Sequence, residues 1–306
     1  MVSSSVRSAC AAWFLLCSAC LLWIPGAASA QNPASYKGIQ KDDFMRRWLV
    51  LGPIPIVPDS DSKPNEESQK KAFATDWLAP HGGEMRIVPS LDAALTISGK
   101  SCRWQAVESN AETVSLENLF GKPNYVVAYV ASEIVMPEAA SVLLALGSDD
   151  GVKVWLNGEK VHDHWVLRGL KKDEDLVPLK LRKGANRLLL KVQNGEGGWG
   201  FICRVPDNQV LEEKVVDSAL KGDLTSLEQI AGQGINLNGK PKYGMTALRA
   251  AQIHGHEDVS RWLISKGARA SFPMPTQEQL VDSGDPGGLY GQIRLWSGSS
   301  DGDSRG

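Results

Sequence analysis

The chain has 306 residues, with 33 Lys and Arg against 35 Asp and Glu, a formal net charge of −2. That length holds about two domains, and the even charge balance excludes a basic surface of the kind that grips nucleic acid. With 42% hydrophobic residues and five cysteines the chain is neither a low-complexity polymer nor a small disulfide-dense scaffold.

Residues 1–30 read as a cleaved signal peptide. Arg7 supplies the positive start, and Ala11 to Ile24 is an apolar run too short to span a bilayer comfortably. Pro25-Gly26 breaks it, and Ala28-Ser29-Ala30 gives a small-x-small cleavage site before Gln31. Lipidation at Cys20 ranks lower, because Cys17 stands where a Leu is needed. The expected location is secreted or periplasmic, with no membrane span after cleavage. Cys102 and Cys203 then remain. Two buried free thiols are preferred over a disulfide, although export would permit one.

Residues 31–43 read as a polar linker. Residues 44–206 read as an all-β sandwich of short strands separated by Gly, Pro and Asn turns. Trp48 to Leu51 is a strand stopped by Gly52-Pro53, and Asp59 to Lys71 is a polar, exposed excursion. Arg103 to Val107 and Tyr125 to Met136 are further strands. Val142, Leu144 and Leu146 alternate toward one face. In Val152 to Leu156 the valines and Leu156 oppose Lys153 and Trp155, and Asn157-Gly158 forms a tight hairpin turn needing positive φ at both positions. Strands at 176–181, 188–192 and 201–205 close the set. Regular short strands argue a jelly-roll sandwich.

From 207 to 275 the periodicity becomes helical. Gly222 and Gly255 are 33 residues apart, as are Gly234 and Gly267. Tyr243-Gly244-Met245-Thr246-Ala247-Leu248, Ala250-Ala251, Gly255-His256 and Leu263-Ile264 resemble the ankyrin repeat, with Arg249 and Ala247 departing from its usual His and Pro. The resemblance implies about two repeats, a small all-α domain, and a protein partner met through exposed helix surfaces and turn tips. Two repeats are fewer than usually stack alone, so the pair is expected to lean on the sandwich, on another chain, or on further sequence. Residues 276–306, rich in Gly, Ser and Asp, read as a disordered tail.

Val154-Trp155-Leu156-Asn157-Gly158-Glu159-Lys160-Val161 and Leu181 to Val192 resemble galactose-binding-like jelly rolls, including the sugar-binding domains of some glycoside hydrolases. That resemblance implies a carbohydrate-binding or accessory module. Asp149-Asp150 resembles the paired aspartates of calcium-dependent sugar-binding sandwiches of the PA14 and GLEYA type, where carboxylates hold Ca²⁺ and sugar hydroxyls complete its oxygen shell. An ordinary Asp-Asp-Gly turn is the competing reading.

The site candidates follow. Asp149 and Asp150 are the metal candidates, and Ca²⁺ is the cofactor. Trp199, within Gly197-Gly198-Trp199-Gly200, and Trp165 are candidate stacking platforms for a glycan, with Asn157 beside them. His162-Asp163-His164 puts two imidazoles on one strand face at a spacing a metal could use, but two ligands do not make a site and the sequence offers no third. No nucleophile elbow and no His-Glu-x-x-His is present, and Ser218-Ala219-Leu220-Lys221 falls inside a helix without its companion motifs. The reading is a non-catalytic, exported binding protein. Its alternatives are a purely structural interaction scaffold, or the non-catalytic front of a truncated secreted hydrolase.

Overall fold

A computed structural model of the protein describes residues 32–56, 63–239 and 244–270. The signal-peptide and tail readings lie outside the described residues, as does Tyr243. In chain order the elements are β1 (Ser35–Lys37), β2 (Arg47–Pro55), α1 (Glu66–Ala74), a 3-10 turn at Ala79–His81, β3 (Ala94–Ile97), β4 (Lys100–Arg103), β5 (Gln105–Glu108) and β6 (Thr113–Ser115). Next come α2 (Leu116–Phe120), β7 (Val126–Met136), β8 (Ala140–Asp149), β9 (Val152–Leu156), β10 (Glu159–His164), β11 (Asp175–Leu181), β12 (Gly184–Asn194) and β13 (Gly200–Arg204). The last four are α3 (Asn208–Lys221), α4 (Leu224–Ala231), α5 (Ala247–Ile253) and α6 (Glu257–Ser265).

The chain is mostly β-sheet, and two sheets stack face to face. The larger runs β10-β9-β12-β7-β2-β5, with β1 added to β7, and the smaller runs β11-β8-β13-β6. The alternation read in β9 explains the stacking. Val152, Val154 and Leu156 meet Leu144, Leu146, Val177, Leu179 and Phe201 across the inter-sheet core. Each such fully buried aliphatic contributes roughly 1.5–3 kcal/mol. The other face of β9 is also covered, because Trp155 joins a second core with Leu51, Leu78, Ile97, Trp104 and Tyr129 on the outside of the larger sheet.

Polar chemistry pins α1 onto that outer face. Lys191 of β12 is fully buried, and its Nζ donates to the carbonyls of Phe73 (3.1 Å) and Thr75 (2.7 Å) and pairs with Glu84. The Tyr129 hydroxyl donates to the same Glu84 at 2.6 Å. Burial pulls the Lys191 ammonium down to about 8, against the opposing pull of Glu84.

Three segments depart from the sequence reading. The linker at 31–43 contains β1, which pairs in parallel with β7, Ser35 opposite Glu133, and Ser132 donates to the Ala34 carbonyl at 2.8 Å. The polar excursion contains α1, whose N-cap Asn65 accepts from the Ser68 amide at 2.8 Å and whose first turn carries Glu66 and Glu67. Its polar face hides the amphipathic period, while Ala72 and Phe73 are buried. The strand read at 103–107 is interrupted at Trp104, which turns into the outer core between β4 and β5. Cys102 and Cys203 are free and buried, the first in the outer core and the second between the sheets.

The four C-terminal helices cover the outer face of the smaller sheet. Leu143 of β8 shares a core with Leu211, Val215, Leu227, Leu248 and Leu263, and Leu176 of β11 packs against it. Lys214 donates to the Asp173 carbonyl at 2.5 Å across this boundary. Of the three supports expected for the helices, the sandwich is one they use. The 33-residue period is repeated by the backbone: Gly222 and Gly255 have φ of 72° and 71°, Gly234 and Gly267 71° and 80°. His256, in the second turn, meets the Leu220 carbonyl of the first pair at 2.9 Å. Among the described residues no helix is long and apolar enough to cross a membrane.

Candidate functional site

The Asp149-Asp150 pair sits where β8 ends and the chain turns into β9. Neighbouring backbone fixes the turn: the Asp150 amide donates to the Gln193 carbonyl (2.7 Å), and the Gln193 amide to the Gly151 carbonyl (2.9 Å). Asp150 is only 5% exposed. Its Oδ1 accepts from the Arg168 amide at 2.7 Å and its Oδ2 from the Gly195 amide at 2.6 Å. Burial raises the Asp150 carboxyl above its ordinary value, opposed by those two amides and by the Arg168 charge. Each oxygen keeps a lone pair beyond the one it uses.

Asp149 is less supported. Its carboxyl is raised to about 6, first by burial and then by the charge of Asp150, with a Leu170 amide pulling the other way and Glu117 adding to the rise. Arg168 pairs with Asp175 (2.5 Å) and Glu174 (3.3 Å) instead. The charge of Asp150 thus adds to burial in raising Asp149, whereas Asp150 has the Arg168 charge to offset its own burial.

A glycine-rich loop closes over both. A Cβ on Gly198 would lie 2.8 Å from Asp149 Oδ2, and one on Gly195 would lie 3.2 Å from Asp150 Oδ2. These glycines let the loop approach the carboxylates. Beside it, Asn194 Oδ1 and Gln69 Oε1 are buried oxygens without a hydrogen-bond partner in the protein, Gln69 Oε1 lying 3.4 Å from where a Cβ on Gly195 would be. A hard cation wants several oxygens, so this donor set fits Ca²⁺ chemically.

The aromatic and turn candidates fare differently. Trp199 is only 3% exposed and packs on Phe120 with ring centroids 5.7 Å apart. It belongs to the inter-sheet core, which corrects the platform reading: of its flanking glycines Gly198 lets the loop approach Asp149 and Gly200 lets β13 approach the Val114 carbonyl of β6, and neither exposes the indole. Trp165 is half-buried, and Lys70 Nζ lies 4.4 Å from its ring centroid, so a cation already covers one face. Asn157 has φ of 54° as the hairpin requires. Its Oδ1 accepts from the Arg187 amide (2.9 Å) and its Nδ2 donates to Asn186 Oδ1 (3.0 Å). That side chain clamps the turn to β12, so it is consumed structurally and is not offered to a ligand.

The sequence reading missed the residues that line the rim. Leu167 is 50% exposed, and its Cδ2 would lie 3.3 Å from a Cβ on Gly195. Tyr125 has its amide bound to the Gly195 carbonyl at 2.9 Å and its hydroxyl on Glu196 of the loop, which Lys63 also meets at 2.6 Å. Nothing local in the sequence connects position 125 to position 195; the β7–β12 pairing does, with Asn194 opposite Val126.

No family model and no curated protein matches the chain. Solved structures similar to it include glycosidases, PA14 domains and anti-sigma factor domain-containing proteins. A Kluyveromyces marxianus beta-glucosidase is 18% identical over 40% of this chain and 17% of its own length, with a TM-score of 0.29. The PA14 domain of MpAFP antifreeze protein is 14% identical, over 26% of this chain and 41% of that one, at 0.23. A PA14 sugar-binding domain from an RTX adhesin is 12% identical, over 52% of this chain and 90% of that one, at 0.28.

Proposed function

We propose that this chain is an exported, non-catalytic glycan-binding module that uses calcium at Asp149-Asp150. One observation carries the reading: two adjacent carboxylates, one raised to about 6, lie under a loop that Gly195 and Gly198 bring close, a Cβ there lying 3.2 Å from Asp150 Oδ2 and 2.8 Å from Asp149 Oδ2. Asp149, Asp150 and the unpartnered Asn194 Oδ1 would hold the cation, with backbone carbonyls of the surrounding turns. A bound Ca²⁺ supplies open coordination positions that vicinal sugar hydroxyls can fill. The protein's own part is to orient the acids through the Arg168 and Gly195 amides and to offer apolar contact to sugar C–H faces through Tyr125 and Leu167. The C-terminal helices, read as an ankyrin-like pair on their 33-residue period, serve as the protein-contacting face. Their outward surface includes Ile264, 56% exposed.

The test is a glycan array and a melting series with calcium and with chelator. Calcium-dependent retention of a glycan, lost in Asp149→Asn with Asp150→Asn, supports the reading. Melting that ignores calcium, with no glycan retained, overturns it and leaves the scaffold alternative.

A further inference from the structure

A second cluster lies on the neighbouring strands, apart from the paired aspartates. His162 and His164 project from the same face of β10, and folding brings Asp175, the first residue of β11, between them. Ligand atoms of His162, His164 and Asp175 all lie within 4.8 Å of one another, the one such trio among the described His, Cys, Asp and Glu side chains. His164 Nδ1 is 2.8 Å from Asp175 Oδ1, and His162 Nε2 is 3.7 Å from Asp175 Oδ2. Bonds of about 2.0–2.1 Å to a tetrahedral zinc ion put neighbouring ligands about 3.3 Å apart, so these separations bracket the value a metal would set.

We propose that His162, His164 and Asp175 bind a divalent transition ion of the zinc class. Three further observations support this over a plain ion pair. His162 Nε2 is buried and has no hydrogen-bond partner, although it faces a carboxylate. The two rings stand edge-on at 86°, with centroids 5.9 Å apart, so neither blocks the other's lone pair. Asp175 is only 8% exposed, and its two oxygens are already engaged, Oδ1 by His164 and Oδ2 by Arg168. Arg168 takes Oδ2 at 2.5 Å and so fixes the carboxylate's orientation, the supporting contact that metal-ligating carboxylates commonly have. Metal binding replaces the His164–Asp175 hydrogen bond with two bonds to one ion. Two imidazoles and one carboxylate suit zinc, cobalt or nickel, whereas calcium and magnesium prefer all-oxygen shells. The His164 side chain is 42% exposed, so the fourth position opens to solvent and accepts water.

The experiment uses the full chain stripped with chelator. Zn²⁺ is titrated calorimetrically in a non-coordinating buffer, and Co²⁺ is followed by its visible absorption. The expected result is one-to-one zinc binding and an intense tetrahedral cobalt band. His162→Gln with His164→Gln should weaken zinc by roughly a hundredfold or more, while its calcium response and circular dichroism stay those of the parent. Asp175→Asn is the second variant, and should also abolish the cobalt band. Absence of saturable zinc binding, or binding that survives the double histidine variant, overturns the proposal. The calcium measurements are scored separately, so either site can fail alone.

Discussion

Asp150 and Asp175 are held by one residue. The Arg168 amide donates to Asp150 Oδ1 at 2.7 Å, and its guanidinium reaches Asp175 Oδ2 at 2.5 Å. One contact belongs to the backbone and survives substitution; the other belongs to the side chain. Arg168→Met should therefore keep calcium-dependent stabilisation while costing about 3–5 kcal/mol of stability, because a buried carboxylate loses its cation. Urea denaturation with and without calcium measures both. Loss of the calcium response in a folded variant would contradict the backbone assignment.

Asp149 predicts a pH signature. Its folded carboxyl sits at about 6 against an ordinary 3.8, so between those values the folded state holds a proton that the unfolded chain has released. In chelator this group therefore erodes stability as pH rises through that window. Asp149→Asn should raise the melting temperature above pH 6 in chelator, leave it near the parent's at pH 4, and remove stabilisation by calcium. A variant that melts lower than the parent at pH 7.5 in chelator would show the carboxylate stabilises by itself.

Trp199→Ala opens a cavity between the sheets. The expected loss is about 3–5 kcal/mol in urea denaturation, as for other buried large aromatics. A loss under 1 kcal/mol would return Trp199 to the surface.

Tyr125→Ala and Leu167→Ala sit at the rim and not in the inter-sheet core. Glycan retention should fall while melting shifts by only a few degrees. Unchanged retention in both variants would move the sugar contact elsewhere.

Lys191→Ala should cost about 3–5 kcal/mol, since Glu84 and two carbonyls lose their buried partner. Comparing Lys191→Met separates lost packing from lost charge: the methionine fills the space, so a similar loss assigns the effect to the ammonium.

The sequence exposed the fold wherever one periodicity ruled. β9 alternates, Asn157-Gly158 turns, and the 33-residue glycine period repeats in the helices, so these were readable in place. It concealed elements whose cause is distant. β1 is a strand only because β7 offers it an edge, and α1 presents mostly polar residues while Lys191, on a strand more than a hundred positions later, holds its end. The site was half legible. Asp149-Asp150 announced itself as a pair, but Trp199 misled because glycines beside a tryptophan look like exposure when they mark close approach. His162 and His164 were visible at their two-residue spacing. Asp175 was not, since it starts a strand of the other sheet, and no periodicity links the two.

The outward-facing Leu143 has a further consequence. It lies on a sandwich strand yet is sealed by side chains from the C-terminal helices. A cut near residue 206, natural as it looks along the chain, would bare a greasy wall on one fragment and strand four short helices on the other. Heating the intact protein should accordingly give one calorimetric endotherm, with both halves melting as a single cooperative body.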